Sequence, residues 1–392
     1  MIDLRLARSL VVFLSLVSSF ALGAGAAGGQ SSPPLVDLGP PIATLDEEFS
    51  SIRGLRELAS GALLVSDWFE EAVYLVDLAS GSKTTRVPNG PGPEEVRLPG
   101  RLVPLPGDST LLQDEGNGRL TVLDPEGRVA RSIRAERPGV LGARGRTADG
   151  GLLFAVPAWA AGTPLPDDSV RVVKWTPEGG DVRPVLTVQG ARRRRNQEPS
   201  RELRLPVVGH ASQDAWEVGP NGTIVVVRGG DYRVEIWSAM RRLVAGPSYA
   251  YEPRPVTQAD RRAFVEQFMA NSAMSGRGED GGLGHAPSAS PSEIARLVET
   301  TEFADTHPYF SAAHVLTDAS GRVWVGIDGG EVGMAYEVFD DSGTRVARVE
   351  LEGERSIGLV AERGVYVVRT GELGLQSIEM YAVPAFSEGS SR

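Results

Sequence analysis

The chain has 392 residues, 41% of them hydrophobic, and its 51 acidic and 40 basic residues give a net charge of −11. This acidic balance argues against a general nucleic-acid-binding protein, because a phosphate backbone is bound by basic surfaces. The sequence contains no cysteine, which excludes disulfides, thiol nucleophiles and thiolate metal sites.

The first 26 residues have the features of a secretory signal peptide. Arg5 and Arg8 precede an uncharged apolar stretch, which ends in small residues that include the A-x-A pattern at 24–26. The apolar part is shorter than the about 20 residues that a membrane-spanning helix needs. We therefore predict a signal peptide at residues 1–26, export to the periplasm or the extracellular space, and no integral membrane span after cleavage. A retained membrane anchor is the alternative.

A strand–turn pattern recurs six times in the rest of the chain. Each copy has a turn glycine, preceded by a short strand and followed by a β-branched strand, a polar corner and a further strand. The glycines are Gly61, Gly107, Gly150, Gly222, Gly321 and Gly364. Spacings of 46, 43 and 43 residues within this series, with four strands per unit, are typical of β-propeller blades. Residues 27–392 are therefore predicted to form an all-β, six-bladed β-propeller rather than a β-sandwich or two stacked barrels.

The sixth copy ends after its third strand, since only a short polar tail follows Phe386. The segment PPIATLDEE, residues 40–48, precedes the first copy and has the pattern of a strand. A strand from the N-terminal part of the chain can complete the last blade and remove a free sheet edge. We therefore predict that this segment closes the ring.

Residues 90–127 resemble the NHL-repeat family of six-bladed propellers. The positions that match the first part of the repeat are Gly90, Gly92, Pro93, Glu95 and Pro99. Those that match the second part are Asp114, Asn117, Arg119, Leu120, Val122, Asp124 and Gly127. Glu94 stands where glycine is usual, and Val96 replaces a phenylalanine. The family contains sensors, scaffolds and several enzymes, so the resemblance implies an architecture and no particular activity.

Residues 249–309 interrupt the strand pattern and predict a helical insertion between blades 4 and 5. Phe264 and Phe268 have the spacing of a helical stripe, and Ser290 with Glu293 has that of a capping box. The insertion is either a lid over the central channel or a pair of helices packed on the rim.

Strand order divides the connections between two faces of the disc. The turns after the first and third strands are short and generic, whereas the turn after the second strand and the crossover to the next blade are longer and varied. The face that carries the turns after the second strands and the crossovers is here called the crossover face. Ligand sites are usually formed by variable loops on a rigid frame, so this face of a monomer is predicted to bind a peptide, protein or carbohydrate. The predicted ligand-binding residues are Asp67, Trp68, Asp114, Glu115, Tyr232, His307 and Tyr309.

No sequence motif assigns a reaction, because neither a G-x-S-x-G nor a phosphate-binding G-x-x-x-x-G-K-[ST] occurs. Three of the four histidines, namely His210, His307 and His314, lie in or before the inner strands of neighbouring blades. Imidazoles placed in this way could share a divalent metal. The alternative function is therefore a metal-dependent hydrolase or lyase at the channel mouth. The spacing of these histidines matches no linear metal motif. For the ligand-binding function we therefore predict no cofactor and no catalytic residue.

Overall fold

The structure is a computed structural model that describes residues 32–136, 139–157, 168–177, 180, 182–192, 205, 207–238, 242–275, 289–328 and 333–386. The predicted signal peptide lies outside these residues. Within them the chain forms six four-stranded antiparallel sheets, which are the blades of a six-bladed β-propeller. The predicted fold class is confirmed.

Each blade uses consecutive strands of the chain, except for the last. The first strand in sequence is β1 (Ala43–Thr44), and blade 1 follows with β2 (Ile52–Glu57), β3 (Leu63–Asp67), β4 (Ala72–Asp77) and β5 (Ser82–Val87). Blade 2 consists of β6 (Pro99–Pro104), β7 (Thr110–Asp114), β8 (Arg119–Leu123) and β9 (Val129–Arg134). Blade 3 consists of β10 (Gly145–Arg146), β11 (Leu152–Pro157), β12 (Ser169–Trp175) and β13 (Val182–Gln189).

The second half of the ring repeats this order. Blade 4 consists of β14 (Ala215–Val218), β15 (Ile224–Arg228), β16 (Arg233–Trp237) and β17 (Leu243–Ala245). Blade 5 consists of β18 (Phe310–Thr317), β19 (Val323–Asp328), β20 (Met334–Phe339) and β21 (Arg345–Glu350). Blade 6 consists of β22 (Arg355–Val360), β23 (Val365–Thr370), β24 (Gln376–Tyr381) and, as its outer strand, β1. The inner strand of each blade contacts that of the next, and β22 contacts β2.

The core lies between the blades, because alternate residues of a strand face opposite neighbours. In β15, Ile224 and Val226 pack against blade 3, whereas Val225 and Val227 pack against blade 5. Both faces of such a strand are buried, so its sequence is a continuous hydrophobic run rather than an alternation of apolar and polar residues. This packing explains the β-branched run that follows the turn glycines.

The segment of residues 34–51, here called the N-terminal strap, crosses the outer edges of blades 5 and 6 and reaches blade 1. Its first part pairs with β21, where the Val36 N–H donates to the Arg348 carbonyl at 2.8 Å. Its middle part is β1, which pairs antiparallel with β24. Leu45 and Phe49 follow β1 and are buried in the cluster between blades 6 and 1. The strap therefore connects three blades through backbone bonds and buried side chains.

The insertion contains two helices among the described residues, α1 (Gln258–Ser275) and α2 (Pro291–Thr300). Ser290 and Glu293 form the capping box that the sequence predicts for α2. Val265 of α1 and Leu297 of α2 are buried in one hydrophobic cluster, which also includes Leu205 from the segment before blade 4. The apolar sides of both helices are used in this cluster, whose members among the described residues come from the helices and from the segments beside them rather than from blade strands. Neither helix has the length and hydropathy of a membrane span.

The carboxylate of Asp67 holds the strap against blade 1, which gives a first prediction. It accepts four backbone N–H bonds, from Ser50 (2.7 Å), Ser51 (3.1 Å), Phe69 (3.0 Å) and Glu70 (3.1 Å). Asp67→Ala leaves these donors without their acceptor at a buried position. We expect the free energy of unfolding to fall by about 3 kcal/mol, measured by urea denaturation.

Asp77→Ala is the matched control, since Asp77 accepts the Ala79 N–H at 2.9 Å in an exposed turn. The free energy of unfolding should fall clearly less in Asp77→Ala than in Asp67→Ala. Equal losses in the two variants would contradict the role assigned to Asp67.

Candidate functional site

A cavity of about 810 Å³ opens on the crossover face between blades 4, 5 and 6. Its walls come from the segments that lead into and out of the insertion, the start of β18, and the crossover to β22. These are connections of the kind that the sequence analysis assigns to ligand binding. Of the predicted residues, the cavity brings together His210, His307, Tyr309 and His314.

One wall of the cavity is aromatic. Tyr251 stacks on Tyr309 with ring centroids 4.6 Å apart and an interplanar angle of 25°. The Tyr309 hydroxyl donates to Glu337 Oε1 at 3.2 Å, and the same carboxylate oxygen receives Arg345 Nη1 at 2.7 Å. Burial beside Glu337 raises the pKa of Tyr309 to about 12, so the phenol stays protonated near neutral pH. The wall is therefore held in place by a buried charged pair.

A histidine pair forms the side of the cavity next to the insertion. The rings of His210 and His307 lie 4.4 Å apart, and His307 Nε2 is 3.0 Å from Asp260 Oδ2, although poorly aligned for a hydrogen bond. Asp260 also accepts the Thr257 N–H at 2.8 Å at the start of α1. These partners, first Thr257 and then His307, hold the pKa of Asp260 well below its usual range. Burial lowers the pKa of His210, and His307 adds to this effect.

His314 lies on the inner strand β18 and has a different partner. Its Nδ1 is 2.9 Å from Ser311 Oγ, and both residues line the cavity. Burial lowers the pKa of His314, so the imidazole is neutral near pH 7.

The structure does not assemble the metal site of the alternative function. Among the described residues, no group of three or more histidine, aspartate or glutamate side chains is placed to hold a metal ion. His210 and His307 adjoin each other, whereas the contact of His314 is with Ser311. The three predicted ligands therefore line one cavity without forming a ligand set.

Three of the predicted ligand-binding residues are corrected by their burial. Asp67, Asp114 and Tyr232 have exposed fractions of 0%, 0% and 1%. Asp67 holds the strap as described above. The Tyr232 hydroxyl donates to Glu337 Oε2 at 2.6 Å within the aromatic cluster between blades 4 and 5. These side chains support the crossover face from below and do not reach its surface.

Asp114 belongs to a network within the NHL-like segment. It accepts Arg119 Nε at 2.6 Å, Asn117 Nδ2 at 3.0 Å and the Arg97 N–H at 2.9 Å. Arg119 also donates to the Gly92 carbonyl at 2.6 Å. The matching residues therefore fix the crossover into blade 2, which is a structural role.

Trp68 and Glu115 lie on the crossover side but do not line the cavity. The Arg53 guanidinium lies 5.4 Å from the centre of the Trp68 ring. Surrounding protein raises the pKa of Glu115, and the charge of Arg53 partly offsets this rise. By its accessible surface, Glu115 is nevertheless exposed.

The central channel holds charges that the sequence analysis missed. Glu217, with an exposed fraction of 4%, has its Oε2 2.8 Å from Arg101 Nη1 and 3.8 Å from Arg144 Nη1. These residues come from the inner strands of blades 2 and 4 and from the position directly before that of blade 3. In the cavity, Tyr251, Arg254 and Ser311 were also missed. Their position at the start of an inner strand, as for Ser311, or in a crossover, as for Tyr251 and Arg254, is the signal that could have found them.

No family model and no curated protein matches the chain. Among solved structures it is similar to virginiamycin B lyase from Staphylococcus aureus, with 10% identity over 86% of this chain and 82% of that one and a TM-score of 0.39. It is also similar to regucalcin from Agrobacterium tumefaciens, with 13% identity over 90% of this chain and 98% of that one and a TM-score of 0.40. A third similar structure is a PQQ-bound aldose sugar dehydrogenase from Streptomyces coelicolor, with 15% identity over 90% of this chain and 99% of that one and a TM-score of 0.44. A shared propeller architecture does not carry an activity from one chain to another. The NHL resemblance stays a prediction.

The half-buried histidines His210 and His314 give a prediction about acid stability. His210 and His314 have folded-state pKa values below the ordinary 6.5, so the unfolded chain takes up protons at a pH where the folded protein does not. The free energy of unfolding should therefore fall as the pH drops below 6.5. Chemical denaturation at a series of pH values measures this slope, which should be shallower in His314→Gln. An unchanged slope in that variant would contradict the burial of a neutral imidazole.

Proposed function

We propose that this protein binds a carbohydrate in the crossover-face cavity. The observation that supports this most directly is the combination, in one cavity, of a flat tyrosine wall with many hydrogen-bonding side chains. Its volume of about 810 Å³ lies within the usual range for ligand sites, roughly 300–1,000 Å³. Export, which the predicted signal peptide favours, is part of the proposal.

The chemistry of the walls fits a ring with an apolar face and polar edges. Tyr251 and Tyr309 line the cavity with aromatic rings. A tyrosine ring is amphipathic, so it suits a ligand of mixed polarity. Glu252, Arg254 and Thr370 line the cavity as acceptors and donors. A sugar presents C–H groups on one side of its ring and hydroxyls around it, so it can use both kinds of surface at once.

A folded protein partner fits this site less well. Stable protein–protein interfaces bury about 800 Å² on each partner, with an apolar centre, whereas this surface is concave and includes the charged side chains of Glu252, Arg254 and Glu354. An extended peptide that adds a strand needs a free sheet edge. The cavity lies instead at the ends of inner strands, so it offers no such edge.

The tyrosine wall is also preorganised. Glu337 is 1% exposed and fixes both the Tyr309 hydroxyl and Arg345. A wall that is already ordered loses little conformational freedom when a ligand binds. The buried pair thus supports affinity without contacting the ligand.

The test is a panel of neutral and acidic mono- and oligosaccharides, compared with a peptide library by thermal shift and then by isothermal titration calorimetry. Tyr251→Ala should weaken sugar binding at least about tenfold, or about 1.4 kcal/mol, because it removes half of the aromatic wall. Phe69→Ala is the control, since this side chain is 40% exposed on the same face but outside the cavity. Binding of peptides alone, or equal losses in the two variants, would contradict the proposal.

A further inference from the structure

The inner strand of blade 5 carries an unusually large bulge at the cavity. Phe310 pairs with Ile327 and Val315 pairs with Val325. Five steps along β18 therefore match two steps along β19, which leaves three additional residues in the inner strand. The shifts in β2, β6 and β22 each add one residue within the described part of the chain. Large bulges are frequent beside active sites, where they redirect side chains.

Gly326 on β19 makes room for this bulge. A Cβ atom at Gly326 would lie 2.5 Å from His314 Cβ and 3.1 Å from the His314 carbonyl oxygen. Any other residue would collide with the bulged backbone at this point. The glycine therefore allows His314 to be displaced from the regular path of the strand.

The bulge brings a nucleophile and a base together. Ser311 Oγ lies 2.9 Å from His314 Nδ1, and both residues line the cavity. This is the distance at which a histidine can remove the proton of a serine hydroxyl. The lowered pKa of His314 has burial as its cause, and no charged side chain contributes to the shift. A neutral imidazole with its proton on Nε2 can accept at Nδ1.

We propose that Ser311 and His314 hydrolyse an ester, such as an acyl group carried by the sugar in the cavity. This inference rests on the proposed function only for the identity of the substrate. Ser311 Oγ forms a bond to the ester carbonyl carbon while its proton passes to His314 Nδ1. The ester C–O bond then breaks, and the departing alkoxide takes that proton from His314.

Water completes the reaction. It attacks the acyl-serine, His314 accepts its proton and returns it to Ser311 Oγ, and the carboxylic acid leaves. The net reaction converts an ester and water into a carboxylic acid and an alcohol, and it needs no metal or redox partner. His314 has Ser311 as its one hydrogen-bonding partner among the described side chains, and a dyad without an orienting acid turns over slowly. Covalent labelling is therefore a sharper readout than steady-state turnover.

The experiment treats the full chain with diisopropyl fluorophosphate near neutral pH and locates the label by peptide mass spectrometry. We expect one phosphorylated residue, Ser311, and no label in Ser311→Ala. His314→Gln should slow labelling at least about 100-fold. The wild-type rate should fall as the pH drops through the pKa of His314, which burial holds below the ordinary 6.5. Ser342→Ala, at an exposed turn on the opposite face, should label like the wild type. Melting temperatures show that each variant is folded.

A chain with no label on Ser311, with label spread over many serines, or with labelling independent of His314 would overturn the inference. The sugar-binding measurement is independent of this one. A protein that binds sugars without being labelled keeps the proposed function and loses the dyad. A protein that is labelled at Ser311 and binds no sugar keeps the dyad and loses the carbohydrate.

Discussion

The antiparallel pairing of β1 with β24 joins the two ends of the propeller. Because the chain has no cysteine, closure depends on backbone hydrogen bonds and on burial of side chains from the strap. Leu45 and Phe49 fill the space between blades 6 and 1, where an open ring would expose both sheets. The same strap pairs with β21 of blade 5. Blades 5 and 6, which form much of the cavity wall, are thus held by the segment that closes the ring.

The architecture could be predicted because each blade is locally encoded. A turn glycine, a β-branched run and a polar corner recur within each unit, and each signal spans only a few residues. The double burial of strands such as β15 produces an apolar run that is easily recognised. The closing strand could also be predicted from the sequence, since the sixth copy lacks a fourth strand and residues 40–48 have the pattern of a strand.

The site was predicted only in part, for physical reasons. His307 and Tyr309 reach the cavity because they stand just before an inner strand. Asp67 and Asp114 have the same acidic, loop-adjacent sequence context, but each carboxylate turns inward to accept backbone N–H bonds. Some of the N–H groups that direct such a side chain lie far from it in sequence, namely those of Ser50 and Ser51 for Asp67 and that of Arg97 for Asp114. No local sequence pattern reveals these partners. The Ser311–His314 pair depends on a bulge, and a bulge breaks the period from which strands are recognised.

The most direct test of ring closure compares the melting temperature of a chain that begins at Pro33 with that of a chain that begins at Ser51, each alone and with a synthetic peptide of residues 33–50. The account predicts a much lower melting temperature for the shorter chain and recovery when the peptide is added, since the peptide can restore the pairing with β24. Equal melting temperatures for the two chains would contradict it.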